Sequence, residues 1–369
     1  MDMKIGILTF HTADNYGAVL QAYALKEFIA SRYSSHTEII DFHTTGHDIE
    51  HYKLFKKRHP NPLKNIILNL FVALHYLPLK RKHRLFETFR NNSLSLSKRR
   101  YDTEESLKSH VYDYDVYITG SDQVFNPHVP YSDTYYLGFT KNSGVRKISY
   151  AGSFGIASIP ETEKPRIKDL LSDFDFISCR EENGLAILNE LGIKDADFVC
   201  DPVFLLPEEE WSQVIPQREI TEDYIFVYDL NGGVDLIVIA SKIQEESGIK
   251  KIICATANTM QYSKNVDWRY DVGPLQMLSF IKNAKYVVTD SFHGSSLSLV
   301  LNTKVLIYIA TPSTSSRLVS LTSRLGISSQ LIEDSHSFCL GSIDFCHYTE
   351  KLLEYVAQSV EYLDESLSS

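Results

Sequence analysis

This 369-residue sequence has no run of eighteen apolar residues, so no membrane-spanning helix is expected. Its opening, Met1-Asp2-Met3-Lys4-Ile5-Gly6-Ile7-Leu8, passes almost directly into a strand pattern. It lacks the charged region, long apolar region and cleavage site of a signal peptide. Cysteine is scarce. The five residues, Cys179, Cys200, Cys254, Cys339 and Cys346, form no CxxC pair and read as reduced thiols in a cytoplasmic protein. No GxGxxG or Walker sequence occurs, which argues against a nicotinamide or ATP enzyme. His336, Cys339, Cys346 and His347 gather near the end, but their spacing matches no zinc pattern, so no metal is expected. Excess positive charge is lacking too. A net charge of −10 argues against general nucleic-acid binding.

What is present is an ordinary globular composition, 43% hydrophobic and 23% charged. The length suits two domains with a substantial core. The charge is unevenly spread. Residues 53–100 carry thirteen Lys and Arg against one acid, Glu87, a net +12 that leaves −22 for the remainder. Inside that segment Ile66-Ile67-Leu68-Asn69-Leu70-Phe71-Val72-Ala73-Leu74-His75-Tyr76-Leu77 is apolar, too short to span a bilayer, and flanked by Lys53–Arg58 and Lys80–Arg84. That is the composition of a helix lying on an anionic membrane, or of a basic helical insertion packed on the first domain.

Short apolar runs alternate with helical periodicity along most of the chain. Strands are predicted at 4–10, 38–42, 113–119, 147–151, 174–178 and 198–200, with a helix over 18–31. After a linker at 205–218 containing a short helix around Trp211, a second series predicts strands at 224–229, 251–255, 286–289 and 305–308. Its helices are predicted at 234–247, 274–283, 295–302 and 316–325, with a terminal helix over 349–367. This pattern is an α/β fold of two doubly wound Rossmann-like domains facing a cleft. The domains are placed at 1–205, with an insertion over about 50–105, and 206–345, followed by the helix of 346–369.

The most informative run is Tyr286-Val287-Val288-Thr289-Asp290-Ser291-Phe292-His293-Gly294-Ser295-Ser296-Leu297. It reads as a buried strand, a polar turn and a helix. The turn sets His293 at the carboxyl end of a strand, where open α/β sheets bind ligands, beside helix N-terminal amides suited to an anion. A titratable group there suggests acid–base chemistry on a phosphate or carboxylate compound; a histidine that merely caps the helix is the alternative.

Six blocks carry a family resemblance: Lys4–His11 with Asn15-Tyr16-Gly17-Ala18-Val19-Leu20-Gln21; Thr119-Gly120-Ser121-Asp122-Gln123-Val124-Phe125; Tyr150-Ala151-Gly152-Ser153-Phe154-Gly155; Ser178-Cys179-Arg180-Glu181; Asp201-Pro202; and Thr289-Asp290-Ser291-Phe292-His293-Gly294. In order over most of the chain, they resemble the polysaccharide pyruvyl transferases of bacterial surface-polysaccharide assembly. The resemblance implies a GT-B-like fold and transfer of the pyruvyl group of phosphoenolpyruvate to a sugar or lipid-linked oligosaccharide, usually as a cyclic ketal. It implies no cofactor beyond that donor substrate. One position departs from the family: members with demonstrated ketalase activity tend to carry arginine two residues before the histidine, where Ser291 stands here. Arg180, Arg317 or Arg324 would then have to supply the anion clamp.

With this resemblance His293 is the expected proton donor or acceptor. Arg180, Ser291, Gly294 and Ser295 are expected around the donor, with a structural ion pair to Glu181 or Glu182 as the other reading of Arg180. Asn15, Gly17, Asp122 and Gln123 are expected on the acceptor side; an ordinary βα turn and a helix cap are their other readings. Asp201 is a weaker candidate, and His11 reads as a partly exposed loop histidine. Two further functions stay open: a GT-B-type glycosyltransferase using a nucleotide sugar, and a catalytically inactive glycan-binding relative. The expected location is the cytoplasm, with peripheral contact at the inner membrane face.

Overall fold

The computed structural model describes residues 3–43, 60–256, 263–309, 312–345 and 348–368. Cys346 and His347, and the basic stretch Lys53–Arg58, lie outside them. The chain forms two compact units, one of Met1–Ile49, Arg90–Leu206 and Glu350–Ser369, the other of Glu50–Phe89 and Pro207–Thr349.

The first unit is built on β1 (Ile5–Leu8), β2 (Thr37–Phe42), β3 (Leu96–Tyr101), β4 (Val116–Thr119) and β5 (Arg146–Ser149). They form one sheet in the order β3-β2-β1-β4-β5, all parallel. Every residue of β1 and β4 is buried, as expected of strands covered on both faces. Strand β6 (Ile177–Cys179) pairs with β7 (Ala196–Phe198) and joins the sheet through single bridges from Phe176 to Ile148 and from Cys179 to Gly152.

The second unit repeats the plan with β8 (Tyr224–Asp229), β9 (Lys251–Thr256), β10 (Val266–Arg269), β11 (Tyr286–Thr289), β12 (Val305–Tyr308) and β13 (Leu331–Ile332). Its order is β10-β9-β8-β11-β12-β13, again all parallel. Ile225, Val227, Ile252, Cys254, Val288 and Leu306 from the strands pack with Leu236, Ile239 and Ile243 of the helix Asp235–Ser247. Burying each large aliphatic side chain contributes about 1.5–3 kcal/mol.

Several expectations need correction. The described residues 60–89 group with the second unit, not with the first as an insertion. The reason is local packing: the His75 ring meets Tyr270 edge-on at 4.5 Å, and Arg81 pairs with Asp271 at 3.0 Å. The helix Thr349–Ser368 belongs mostly to the first unit. There Tyr355 Oη donates to the Val199 carbonyl at 2.9 Å, Ser359 Oγ accepts from Cys200 N at 2.8 Å, and Tyr362 Oη donates to the Ser149 carbonyl at 2.7 Å. The strand expected at 198–200 forms two residues earlier, because Asp201 turns the chain by accepting from Val203 N at 3.2 Å. The helix expected to begin at 295 starts at Phe292. The strands expected at 224–229, 286–289 and 305–308 form with those bounds.

In each sheet the strand order reverses once, between β1 and β4 and between β8 and β11. The loops at the carboxyl ends of such strand pairs are where doubly wound sheets bind ligands.

Candidate active site

In the second unit that reversal lies between Asp229, the last residue of β8, and Asp290, the first after β11. The two carboxylates organise the loop after β8. Asp290 accepts from Leu230 N at 3.0 Å, Asn231 N at 3.2 Å and Asn231 Nδ2 at 2.6 Å. Asp229 accepts from Gly232 N at 2.7 Å and from Thr256 Oγ1 at 3.0 Å. Burial raises the Asp229 pKa; the bonds from Gly232 and Thr256 oppose this and the charge of Asp290 adds to it.

Beside Asp290 the helix Phe292–Val300 begins. Ser291 is its N-cap, its hydroxyl accepting from Gly294 N at 3.2 Å and bonding to the buried Tyr228 phenol. His293 lies in the first turn, 9% exposed, its ring edge-on to Phe292 at 5.3 Å. Gly294 and Ser295 are less available than the sequence suggests. A Cβ at Gly294 would stand 2.8 Å from both Thr289 Oγ1 and Tyr228 Cδ1, so the missing side chain serves packing under the turn. Ser295 is fully buried and its hydroxyl donates to the Ser291 carbonyl at 2.9 Å. Arg317 and Arg324 sit on the helix Pro312–Leu325 of the same unit.

Arg180, expected with these donor residues, lies in the first unit. Its side chain is buried and committed: Nη1 donates to Asp201 at 2.5 Å and to Ser121 Oγ at 3.1 Å, and Nη2 to Asp122 at 3.0 Å. The ion-pair reading was right in kind and wrong in partner, since Asp201 and Asp122 take the place of Glu181 and Glu182. Glu181 turns to Ser153, whose hydroxyl donates to it at 2.7 Å. The first unit's reversal point is closed by a second polar network. Gln21 Nε2 donates to Thr9 Oγ1 at 2.9 Å and Gln21 Oε1 accepts from Ser121 N at 3.1 Å, tying the loop after β1 to the loop after β4. At Gly120 φ is +115° and a Cβ would fall 2.2 Å from the Tyr150 carbonyl oxygen, so only glycine fits. Asp122 also has positive φ, +74°, a conformation uncommon outside glycine that recurs at functional loops.

Of the expected acceptor residues, Asp122 and Gln123 share this loop. Asn15 is the N-cap of the helix Tyr16–Arg32, accepting from Ala18 N at 3.2 Å, and Gly17 is buried in that helix. His11 is corrected: it is 1% exposed, with Nδ1 3.1 Å from the Thr9 carbonyl and Nε2 3.2 Å from Asp41 Oδ1. Sequence reading passed over Asp229, Asn231, Gln21, Asp41 and His43. For Asp229 a signal existed, an apolar strand ending in Asp-Leu-Asn-Gly-Gly at residues 229–233. For Asp41 the local half of the signal was His43 two residues on, while its other partner, His11, is 30 residues away.

Solved structures share this fold at low identity. A UDP-N-acetylglucosamine 2-epimerase superposes with a TM-score of 0.53 at 10% identity, over 99% of this chain and 95% of that one. MnaA of S. aureus in complex with UDP superposes with a TM-score of 0.50 at 9% identity, over 100% and 90%. These likenesses establish a GT-B-like α/β fold with two Rossmann-like sheets. A search of curated proteins gives no sequence match. The family model for polysaccharide pyruvyl transferase matches residues 15–311, spanning the organised loops of both units, and the chain belongs to that transferase family.

Proposed function

We propose that this transferase moves the pyruvyl group of phosphoenolpyruvate onto sugar hydroxyls of a surface polysaccharide or its lipid-linked precursor, forming a ketal. The observation that carries the reading is the position of His293 in the first turn of a helix at the strand-order reversal of the second unit. The helix N-terminus offers positive potential to the donor's phosphate or carboxylate. The imidazole offers a proton near neutral pH. In this reading His293 protonates the methylene carbon of the enol phosphate, and the adjacent carbon gains cationic character. A first sugar hydroxyl adds there and loses its proton. The carbon–oxygen bond to phosphate then breaks, inorganic phosphate leaves with that proton, and a second hydroxyl adds to the same carbon and gives its proton back to His293, closing the ketal. Ser291 supplies no charge, so the dipole of the helix holds the anion without a side-chain guanidinium at that position. We assign the loops around Asp122 and Gln123 in the first unit to the acceptor.

The test is ligand-dependent thermal stability, followed by phosphate release. A ligand at about 100 times its dissociation constant adds roughly 2.7 kcal/mol. Stabilisation by phosphoenolpyruvate, reduced in His293→Ala, supports the assignment. Stabilisation by UDP or GDP with none from phosphoenolpyruvate moves the protein to nucleotide-sugar chemistry. That outcome is the natural competitor, since the similar S. aureus structure was solved with UDP.

A lipid-linked acceptor requires work at a membrane, and we assign that contact to the helix Pro62–Leu74 at the cytoplasmic face. Leu63, Ile66, Leu70 and Leu74 recur at helical spacing and are each more than half exposed, as is Leu77 just beyond. Lys80, Arg81, Lys82 and Arg84 follow directly. Among the described residues no single helix is long and apolar enough to cross a membrane. An exposed aliphatic stripe next to a basic cluster fits the surface of an anionic bilayer.

A further inference from the structure

We propose that the first unit binds one divalent transition-metal ion through His11 Nε2, Asp41 Oδ1 and His43 Nε2. Among the described residues these three form the group of His, Cys, Asp and Glu side chains whose ligand atoms converge, all within 4.8 Å of one another. His11 Nε2 is 3.2 Å and His43 Nε2 2.8 Å from the same carboxylate oxygen. A tetrahedral ion with bonds of about 2.0–2.2 Å holds its ligand atoms roughly 3.3 Å apart. Both nitrogen–oxygen distances lie near that spacing, and the two nitrogens lie within 4.8 Å of each other, close enough for one ion to draw all three together. The two rings stand nearly perpendicular, at 86° with centroids 6.0 Å apart, so that they meet Asp41 from different sides.

The hydrogen-bond chemistry of His11 points the same way. Its Nδ1 lies 3.1 Å from the Thr9 carbonyl, which can only accept, so Nδ1 carries the proton. In the neutral ring Nε2 is then a lone pair, and it faces a carboxylate oxygen. Two lone pairs at 3.2 Å repel unless a proton or a cation lies between them. An imidazolium paired with the Asp41 carboxylate or a cation between the two atoms relieves that repulsion, and the calorimetric and cobalt titrations below separate the two. A metal ion satisfies both lone pairs with the ring neutral. Donation of the outer ring nitrogen to a backbone carbonyl is also the usual way that proteins orient a metal-bound histidine.

The backbone explains how the set assembles and why spacing along the sequence conceals it. Asp41 is the penultimate residue of β2 and His43 follows its end, so the two point to one face of the strand. β2 runs parallel beside β1, whose following loop carries His11. The site thus sits at the carboxyl ends of adjacent strands. Two imidazoles and one carboxylate suit zinc, iron(II) or manganese-like ions better than calcium or magnesium. Three protein ligands leave at least one coordination position for water or a substrate oxygen, the arrangement of catalytic rather than structural zinc. This departs from the expectation of a metal-free protein drawn from the cysteine and histidine spacings, and it does not depend on the identity of the transferred group.

The experiment uses the full chain without an affinity tag, stripped with a chelator. Zn²⁺ is titrated by calorimetry, and Co²⁺ is followed by its visible d–d absorption. His43→Ala and Asp41→Asn are compared with His336→Ala, an exposed histidine elsewhere, and circular dichroism verifies folding of each variant. The expected result is a single equivalent of Zn²⁺ and a tetrahedral-type cobalt spectrum. Both should be retained in His336→Ala and weakened more than about tenfold in folded His43→Ala and Asp41→Asn. Absence of stoichiometric binding by the stripped wild-type protein overturns the proposal, as does unchanged binding in folded His43→Ala and Asp41→Asn. Phosphoenolpyruvate is omitted throughout, so failure here leaves the assignment of the transferred group untouched.

Discussion

Arg180 and Asp201 meet at 2.5 Å with side chains 1% and 0% exposed, so neither charge has water to fall back on. Asp122 shares the guanidinium at 3.0 Å. A cation held by two carboxylates in the interior organises its own loop and is poorly placed to clamp a substrate anion. Arg180→Met should therefore destabilise the protein by about 3–5 kcal/mol, because Asp201 is left buried and uncompensated. Denaturant unfolding measures this. A variant of unchanged stability whose only defect is a raised KM for phosphoenolpyruvate would restore Arg180 as a donor clamp.

The catalytic assignment of His293 makes a different demand. His293→Gln keeps a polar side chain of similar reach but cannot shuttle a proton near neutral pH. Its kcat should fall by roughly 10²–10⁴-fold while stability stays nearly unchanged. Turnover within a few-fold of wild type would remove His293 from the chemistry.

Asp229 links the same region to pH. Burial raises its folded-state pKa above the ordinary carboxyl value. The folded protein thus binds this proton more tightly than the unfolded chain. The contribution of Asp229 is most favourable below the unfolded pKa of about 3.9 and declines as pH rises through the folded value. Asp229→Asn keeps an acceptor for Gly232 N and removes the titration. Its stability, compared with wild type across the acid range, should lose that decline and gain most above it. A parallel pair of pH profiles would contradict the assignment.

Gly294 separates packing from ligand approach. Because a Cβ would press on Thr289 and Tyr228 at 2.8 Å, Gly294→Ala should cost about 1–3 kcal/mol through overpacking, even without ligand. Unaltered stability with lost phosphoenolpyruvate binding would favour a role in anion approach instead.

Much of this arrangement was legible in the sequence because parallel strands buried on both faces leave continuous apolar runs. Tyr224–Asp229 and Tyr286–Thr289 were bounded correctly for that reason, and with them the turn that carries His293. Leu96–Tyr101 was invisible because this edge strand reads Leu-Ser-Lys-Arg-Arg-Tyr, with three consecutive exposed residues at its centre. The partners of Arg180 were hidden as well. Asp122 and Asp201 lie 58 and 21 residues away, brought close only by the parallel crossovers. Asp41 and His43 stand two apart on one strand, but their link to His11 was lost to the same cause, since local spacing carries no trace of neighbouring strands.

The exposed stripe on the helix Pro62–Leu74 gives the last prediction. If Leu63, Ile66, Leu70 and Leu74 face water only until a bilayer covers them, the intact protein should float with vesicles containing anionic lipid and much less with neutral ones. Each basic residue near such a surface adds about 1 kcal/mol, screened by salt, so binding should weaken as ionic strength rises. Leu70→Asp should abolish flotation without loss of fold, because the side chain is 59% exposed. Phosphate release with a soluble sugar acceptor should survive that substitution, while turnover on a vesicle-borne acceptor should fall. Flotation that is indifferent to lipid charge and to Leu70→Asp would assign the stripe to a protein partner instead, since a partner's complementary apolar groove, unlike a bilayer, makes no demand on headgroup charge.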